Sequence, residues 1–231
     1  MSGLAGATIH EPDVVLTDLG LAILGGWLAW RLATAAGRGW LPRAGAILMG
    51  GLASAAFWGA VFHAFFPLET ATLPGFIAWI PVTLSIVVVT ATMLELGLRL
   101  LAPRLPQRLR RSAVAAYAVA FAAVVLLVDE SYSTIVRFYT PALALFLVAA
   151  VGQALRGRAG WTLVALALAL SAGAALLQQL EVSIHPVYFD HNAVYHVVQG
   201  AALVLLYYGF RLVPAGSSEH YVSGTDPAAR R

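Results

Sequence analysis

Seven apolar stretches, each near the ~20 residues that a helix needs to cross a bilayer, alternate with short polar breaks along this chain. The pattern predicts helices over 14–36, 44–66, 74–101, 112–128, 133–155, 160–180 and 191–213. Between them stand helix breakers: Gly37-Arg38-Gly39, Pro67, Pro103 and Pro106, Asp129-Glu130-Ser131, Gly157 to Gly160, and Pro186. The expected fold is an all-α integral membrane protein, a seven-transmembrane helix bundle over 14–213. A short outer segment, 1–13, precedes it and lacks the basic start of a signal peptide. A flexible cytoplasmic tail, 214–231, follows. No internal repeat is visible, which argues against an inverted-repeat transporter.

Composition agrees. Of 231 residues, 60% are hydrophobic and 11% charged, with mean hydropathy +0.81, against roughly 25% charged in a soluble domain. The absence of cysteine excludes disulfides, thiolate ligands and cysteine nucleophiles. All fourteen basic residues are arginine, so no lysine is present to form a retinal Schiff base. Arginine for lysine and abundant alanine point to a GC-rich bacterial genome, and hence to the inner (plasma) membrane.

The arginines also set a topology. Arg31, Arg38 and Arg43 flank the first connection, and Arg99, Arg104, Arg108, Arg110 and Arg111 flank the third. Arg156 and Arg158 flank the fifth, Arg211, Arg230 and Arg231 follow the last helix, and Arg137 alone falls on the other side. The positive-inside rule then puts the N-terminus outside and the C-terminus in the cytoplasm. A calculated pI near 9.5 is thereby explained without nucleic acid as a partner. Most acids, including Asp18, Glu69, Asp129, Glu130 and Asp190, gather at the outer ends, together with His10, His63, His185, His191 and His196.

The chemistry therefore concentrates on one face, around the opening of the seventh helix, Ile184 to Gln199. Asn192, His196 and Gln199 follow at i, i+4 and i+7, which places them on one helix face. A polar stripe on an apolar span turns to the bundle interior. His63 lies four residues before Pro67 and His196 five residues into helix seven, so both imidazoles are about 6–7.5 Å deep at 1.5 Å per residue. Asp18 sits one turn into helix one at similar depth. His191 converges with His196 only from the very start of the helix, capped by Asp190 or Asn192, and His185 lies in the preceding loop. Lone histidines in membrane helices also serve simply to link helices, and Asp18 reads equally as an N-terminal helix charge. Glu95, four residues before Arg99, reads as a helix-end ion pair, and Arg137 as a side chain reaching to Asp129, Glu130 or lipid phosphate.

Seven spans, a histidine near the end of helix two and a paired-histidine motif opening helix seven (His191 and His196) resemble the superfamily of alkaline ceramidases and progestin/adiponectin receptors. Thr17-Asp18, Gln178-Gln179 and His191-Asn192…Tyr195-His196 look closest to an uncharacterised branch of it. The resemblance implies zinc held by three histidines and hydrolysis of a lipid amide. The sequence departs from the pattern at three points. Gly59 stands where the helix-two serine belongs, with Ser54 on another face; Asn192 stands for the first helix-seven histidine; and no aspartate occurs on helix three, for which Asp18 or Glu69 would substitute.

The resulting expectation is a zinc-dependent membrane hydrolase acting on a lipid amide or ester near the outer face. Zinc would be held by His63, His191 and His196, with Asp18 as catalytic base or orienter and Asn192 and Gln199 as supporting hydrogen-bond groups. The alternative is a non-catalytic membrane protein: a lipid or metal sensor, or a bis-histidine haem protein.

Overall fold

The structure is a computed structural model that describes residues 9–35, 39–66, 70, 72–185 and 188–213. Pro67, Glu69, Pro186 and the tail with His220 lie outside the described residues. Among those described, seven helices run α1 (Pro12–Ala35), α2 (Trp40–Phe65), α3 (Leu73–Leu101), α4 (Gln107–Leu127), α5 (Tyr132–Leu155), α6 (Trp161–Gln179) and α7 (His191–Leu212). Each is long and apolar enough to cross a membrane. The chain is an all-α seven-helix bundle of integral membrane character.

Two helices start earlier than the hydrophobic pattern suggested. α2 begins at Trp40 and carries Pro42 in its first turn, where a backbone N–H has no helical acceptor to lose. α4 begins at Gln107 and draws the arginine run into the helix, with Arg110 buried. The Arg110 Nε donates to both carboxylate oxygens of Glu95 on α3, at 2.9 and 3.0 Å. That replaces the expected pairing of Glu95 with Arg99. The Arg99 guanidinium lies instead over the Trp40 ring, 3.7 Å from its centroid, a cation–π contact between α3 and α2. The reason is reach: Arg110 comes at Glu95 from a neighbouring helix, while Arg99 on the same helix has an aromatic face beside it. Arg137 is exposed. The Asp129 carboxyl is held below the usual carboxylate range by hydrogen bonds from the Thr134 hydroxyl and from Ser131 at the start of α5.

Six helices close a ring in the order α1, α2, α3, α5, α6, α7, with α7 back against α1. α4 packs outside it, chiefly on α3: Phe121 and Val125 cluster with Val87 of α3, and Phe121 also stacks on Phe138 of α5 at 4.8 Å. Close approach within the ring depends on small residues. A Cβ on Gly51 of α2 would sit 2.7 Å from Val89 Cγ2 of α3, and beside this contact Ser54 Oγ meets Ser85 Oγ at 2.8 Å. Gly160 takes φ +82 before α6, where a Cβ would be 2.3 Å from the Gly209 carbonyl oxygen of α7. The apolar core of Leu48, Met49, Met93, Leu96, Phe146, Leu203 and Phe210 fills the arginine-bearing half of the ring. The histidine-bearing half is hollow.

Arg110→Ala leaves Glu95 without its partner in a mostly buried setting, at a cost of about 2 kcal/mol for a charged hydrogen bond. Thermal unfolding in detergent is expected to show a clear drop for Arg110→Ala, a smaller one for Arg99→Ala and none for the exposed Arg108→Ala.

Candidate functional site

The hollow half encloses a cavity of about 660 Å³. Its walls come from all six ring helices and are mostly apolar, with Leu21, Leu52, Ile86 and Leu143 at depth. At the histidine end the lining is polar: Asp18, His63, Gln178, His191, Asn192, His196 and Gln199 all face it. The residues singled out in the sequence, Asp18, His63, His191, Asn192, His196 and Gln199, thus line one cavity.

The start of α7 is firm. Asp190 caps it, its carboxylate accepting from the Ala193 N–H at 2.9 Å, while the Asp190 N–H donates to Asp13 Oδ2 at 3.2 Å. An Asp cap satisfies one of the orphan donors of the first turn. Asn192 Oδ1 accepts from Gln178 Nε2 at 3.0 Å, which ties α7 to α6. His191, the first helical residue, lines the cavity without drawing up to the other histidines. His185 stands apart: it is exposed, pairs through its backbone with Phe189, and accepts the Tyr188 N–H at Nδ1.

His196 and Asp18 form the centre. Their side chains are 10% and 4% exposed, and His196 Nε2 lies 3.1 Å from Asp18 Oδ1. His196 Nδ1 lies 3.1 Å from Thr17 Oγ1. The Thr17 hydroxyl donates to the Asp13 or Val14 carbonyl, at 2.9 and 3.0 Å, so its oxygen is left to accept from Nδ1–H. One further proton then belongs to the Asp18–Nε2 contact. It sits either on a neutral carboxyl that donates to Nε2 or on an imidazolium that donates to the carboxylate. Both arrangements are neutral overall, which is what a low-dielectric interior tolerates.

Gly59 explains how Asp18 reaches this place. A Cβ there would be 2.8 Å from Asp18 Oδ2 and 3.4 Å from its Cγ. The absent side chain of α2 makes the room that the α1 carboxylate fills. The position four residues before His63 is thus occupied by a polar group from a different helix. Asp18 is no surface helix charge.

His63 meets a residue that the sequence reading did not single out: its Nδ1 lies 2.5 Å from Glu11 Oε2. Three tyrosines were missed as well. Tyr132 and Tyr139, seven apart on α5, and Tyr195 on α7 line the cavity, with Tyr195 in electrostatic range of both and of Asp18. Tyr195 shares the helix face of Asn192 and Gln199, so reading the stripe for aromatic hydroxyls as well as for histidine would have found it. Trp79 closes the α3 side, its Nε1 donating to the Glu130 carbonyl at 3.1 Å and its ring 4.9 Å from Phe62.

Among the described residues no three histidine, aspartate or glutamate side chains gather closely enough to hold a metal ion. The expected set of His63, His191 and His196 is not assembled: His196 has both ring nitrogens engaged and His63 one.

Residues 14–214 match a family whose description is a family of unknown function, DUF6962. The chain belongs to DUF6962. The match spans every helix of the bundle, so in this DUF6962 member the cavity and its lining fall within the family region. No curated protein and no solved structure matches the chain.

Gly59→Ala is expected to displace the Asp18 carboxylate and lower thermal stability, by about 1–3 kcal/mol for overpacking. Gly50→Ala on the same helix meets only Ala29 Cβ at 3.9 Å and should leave stability unchanged or raise it. Parallel unfolding curves of the two variants check the contrast.

Proposed function

We propose that this protein binds a membrane lipid in the cavity, with the polar end of the lipid against the Asp18–His196 pair. The observation that carries this reading is a side opening. Thr140 on α5 and Leu176 and Gln179 on α6 line the cavity, yet they are exposed at the surface of the bundle, Leu176 by 59%. An apolar chamber that opens towards acyl chains and ends in hydrogen-bonding groups suits an amphiphile. Pro141 removes one main-chain hydrogen bond from α5 beside this seam, which loosens the helix where a lipid would pass. By the arginine rule, the entrance faces the outer leaflet of a bacterial inner membrane.

Charge narrows the ligand class. Among the described residues, Asp18 and Glu130 line the cavity and no arginine does. A phosphate or carboxylate buried there would find only the imidazoles of His63, His191 and His196 as counter-cations, each of which must first take up a proton in a low-dielectric setting, at a cost of several kcal/mol. The reading is therefore of a lipid with an uncharged polar end, such as an amide, ester or alcohol.

A second reading, the zinc-dependent hydrolase of a lipid amide or ester, is favoured by the way both imidazoles are tied back. Nδ1 of His63 faces Glu11 and Nδ1 of His196 faces Thr17, as ligating histidines are commonly oriented by outer partners. In that reading His63, His196 and Asp18 would hold the ion, which supplies an activated water for attack on the carbonyl. As placed, these residues do not form a ligand set.

Native mass spectrometry of protein released from nanodiscs tests the first reading. Wild type is expected to retain a neutral lipid in preference to phosphatidylglycerol. Ala175→Trp, which fills the cavity, should retain at least tenfold less while keeping its unfolding temperature; equal retention by both proteins sinks the proposal. Metal analysis tests the second reading. About one zinc per chain, lost in His63→Ala and His196→Ala, supports it, and metal-free wild type removes it. A Soret band would point instead to bis-histidine haem.

A further inference from the structure

We infer that Glu11 is a positioning residue, fixing which nitrogen of His63 faces the cavity. Glu11 does not itself line the chamber, whereas His63 does. The carboxylate stands behind the ring, Oε2 2.5 Å from Nδ1, with the two side chains 34% and 22% exposed. An ionised carboxylate only accepts, so the hydrogen of a neutral His63 belongs on Nδ1 and the lone pair on Nε2. The ring then presents an acceptor to the cavity.

The backbone supports a dedicated placement. Glu11 adopts φ +45, a left-handed conformation that a non-glycine residue with a long side chain rarely takes and that costs of order 1 kcal/mol or more. Such strain persists only where the surroundings hold it. Here the His10 N–H donates to the Ala64 carbonyl of α2 at 3.2 Å, the Val15 N–H to the Glu11 carbonyl at 3.0 Å, and Asp13 receives the Asp190 N–H of α7. The segment before α1 is pinned to the ends of α2 and α7, and the bend at Glu11 turns its carboxylate onto His63. The inference deepens the cavity reading by assigning the hydrogen-bond character of one wall, and it needs no bound lipid to hold.

Nitrogen-15 NMR of histidine-labelled protein in bilayers at pH 9 tests it, with the His63 signals assigned by their loss in His63→Gln. Wild type is expected to show His63 protonated at Nδ1 alone. Glu11→Gly keeps the bend without strain but removes the carboxylate, and should lose the single tautomer; Glu11→Asp should keep most of it. A role for Glu11 only in anchoring the segment would leave the tautomer of Glu11→Gly unchanged, and that result overturns the inference. So does a wild-type His63 protonated at Nε2 alone, whatever the Glu11 variants show. Because the spectrum reads ring protons and not lipid, failure here leaves the lipid-binding reading to its own test.

Discussion

The bond between Asp18 and His196 is the constraint around which the histidine-bearing half of this bundle is arranged. A carboxyl and an imidazole taken out of water must find each other or cost several kcal/mol apiece, and this pair does so across the joint between the first and last helices of the ring. Its geometry needs the notch at Gly59 to admit the carboxylate. It also needs Thr17, one residue away on α1, to receive the remaining ring hydrogen. Three helices are thereby held in a relative position that apolar contacts alone would leave freer, because lipid tails solvate leucine as well as a neighbouring helix does.

The two halves of the molecule divide the work. Where the arginines lie, large apolar side chains interlock and Glu95, Arg110, Arg99 and Trp40 fasten the helix ends. Where the histidines lie, the same helices stand around an open space whose polar groups are mostly paired to one another: Gln178 to Asn192, Asp18 to His196, His63 to Glu11. A hollow whose polar groups are mostly paired within its own walls costs little to leave empty, and a ligand with hydrogen-bonding groups can replace one of those pairings. That is a suitable interior for a ligand that comes and goes.

Much of this was legible in the sequence. Bilayer length and period gave the seven spans, and the rise per residue placed His63, His196 and Asp18 at one depth, where they all line one cavity. Helix starts were read less well, because arginines before α4 look like loop when they are in fact helical and one of them is buried. The atomic pairings were out of reach for a different reason. Depth along a helix follows from counting, but which nitrogen meets which oxygen depends on how the helices are rotated and on rotamers, which counting does not give. Glu11 shows the limit. It stands in a stretch without hydrophobic period, and its contact with a residue fifty-two positions away follows from a left-handed turn that no local residue type announces.

The seat of α4 outside the ring carries its own lesson about parity. A chain that left α3 and joined the ring at once would enter α5 from the arginine end, inverting it. Tyr132 and Tyr139 would then point their end of the helix away from Asp18, and Ser131 would no longer cap it beside Glu130. The detour through α4 is a return stroke that restores direction without contributing a wall. Arg110, Tyr117, Phe121 and Val125, with Ala118 and Ala122, dock it on the ring, and much of the rest of the helix is exposed.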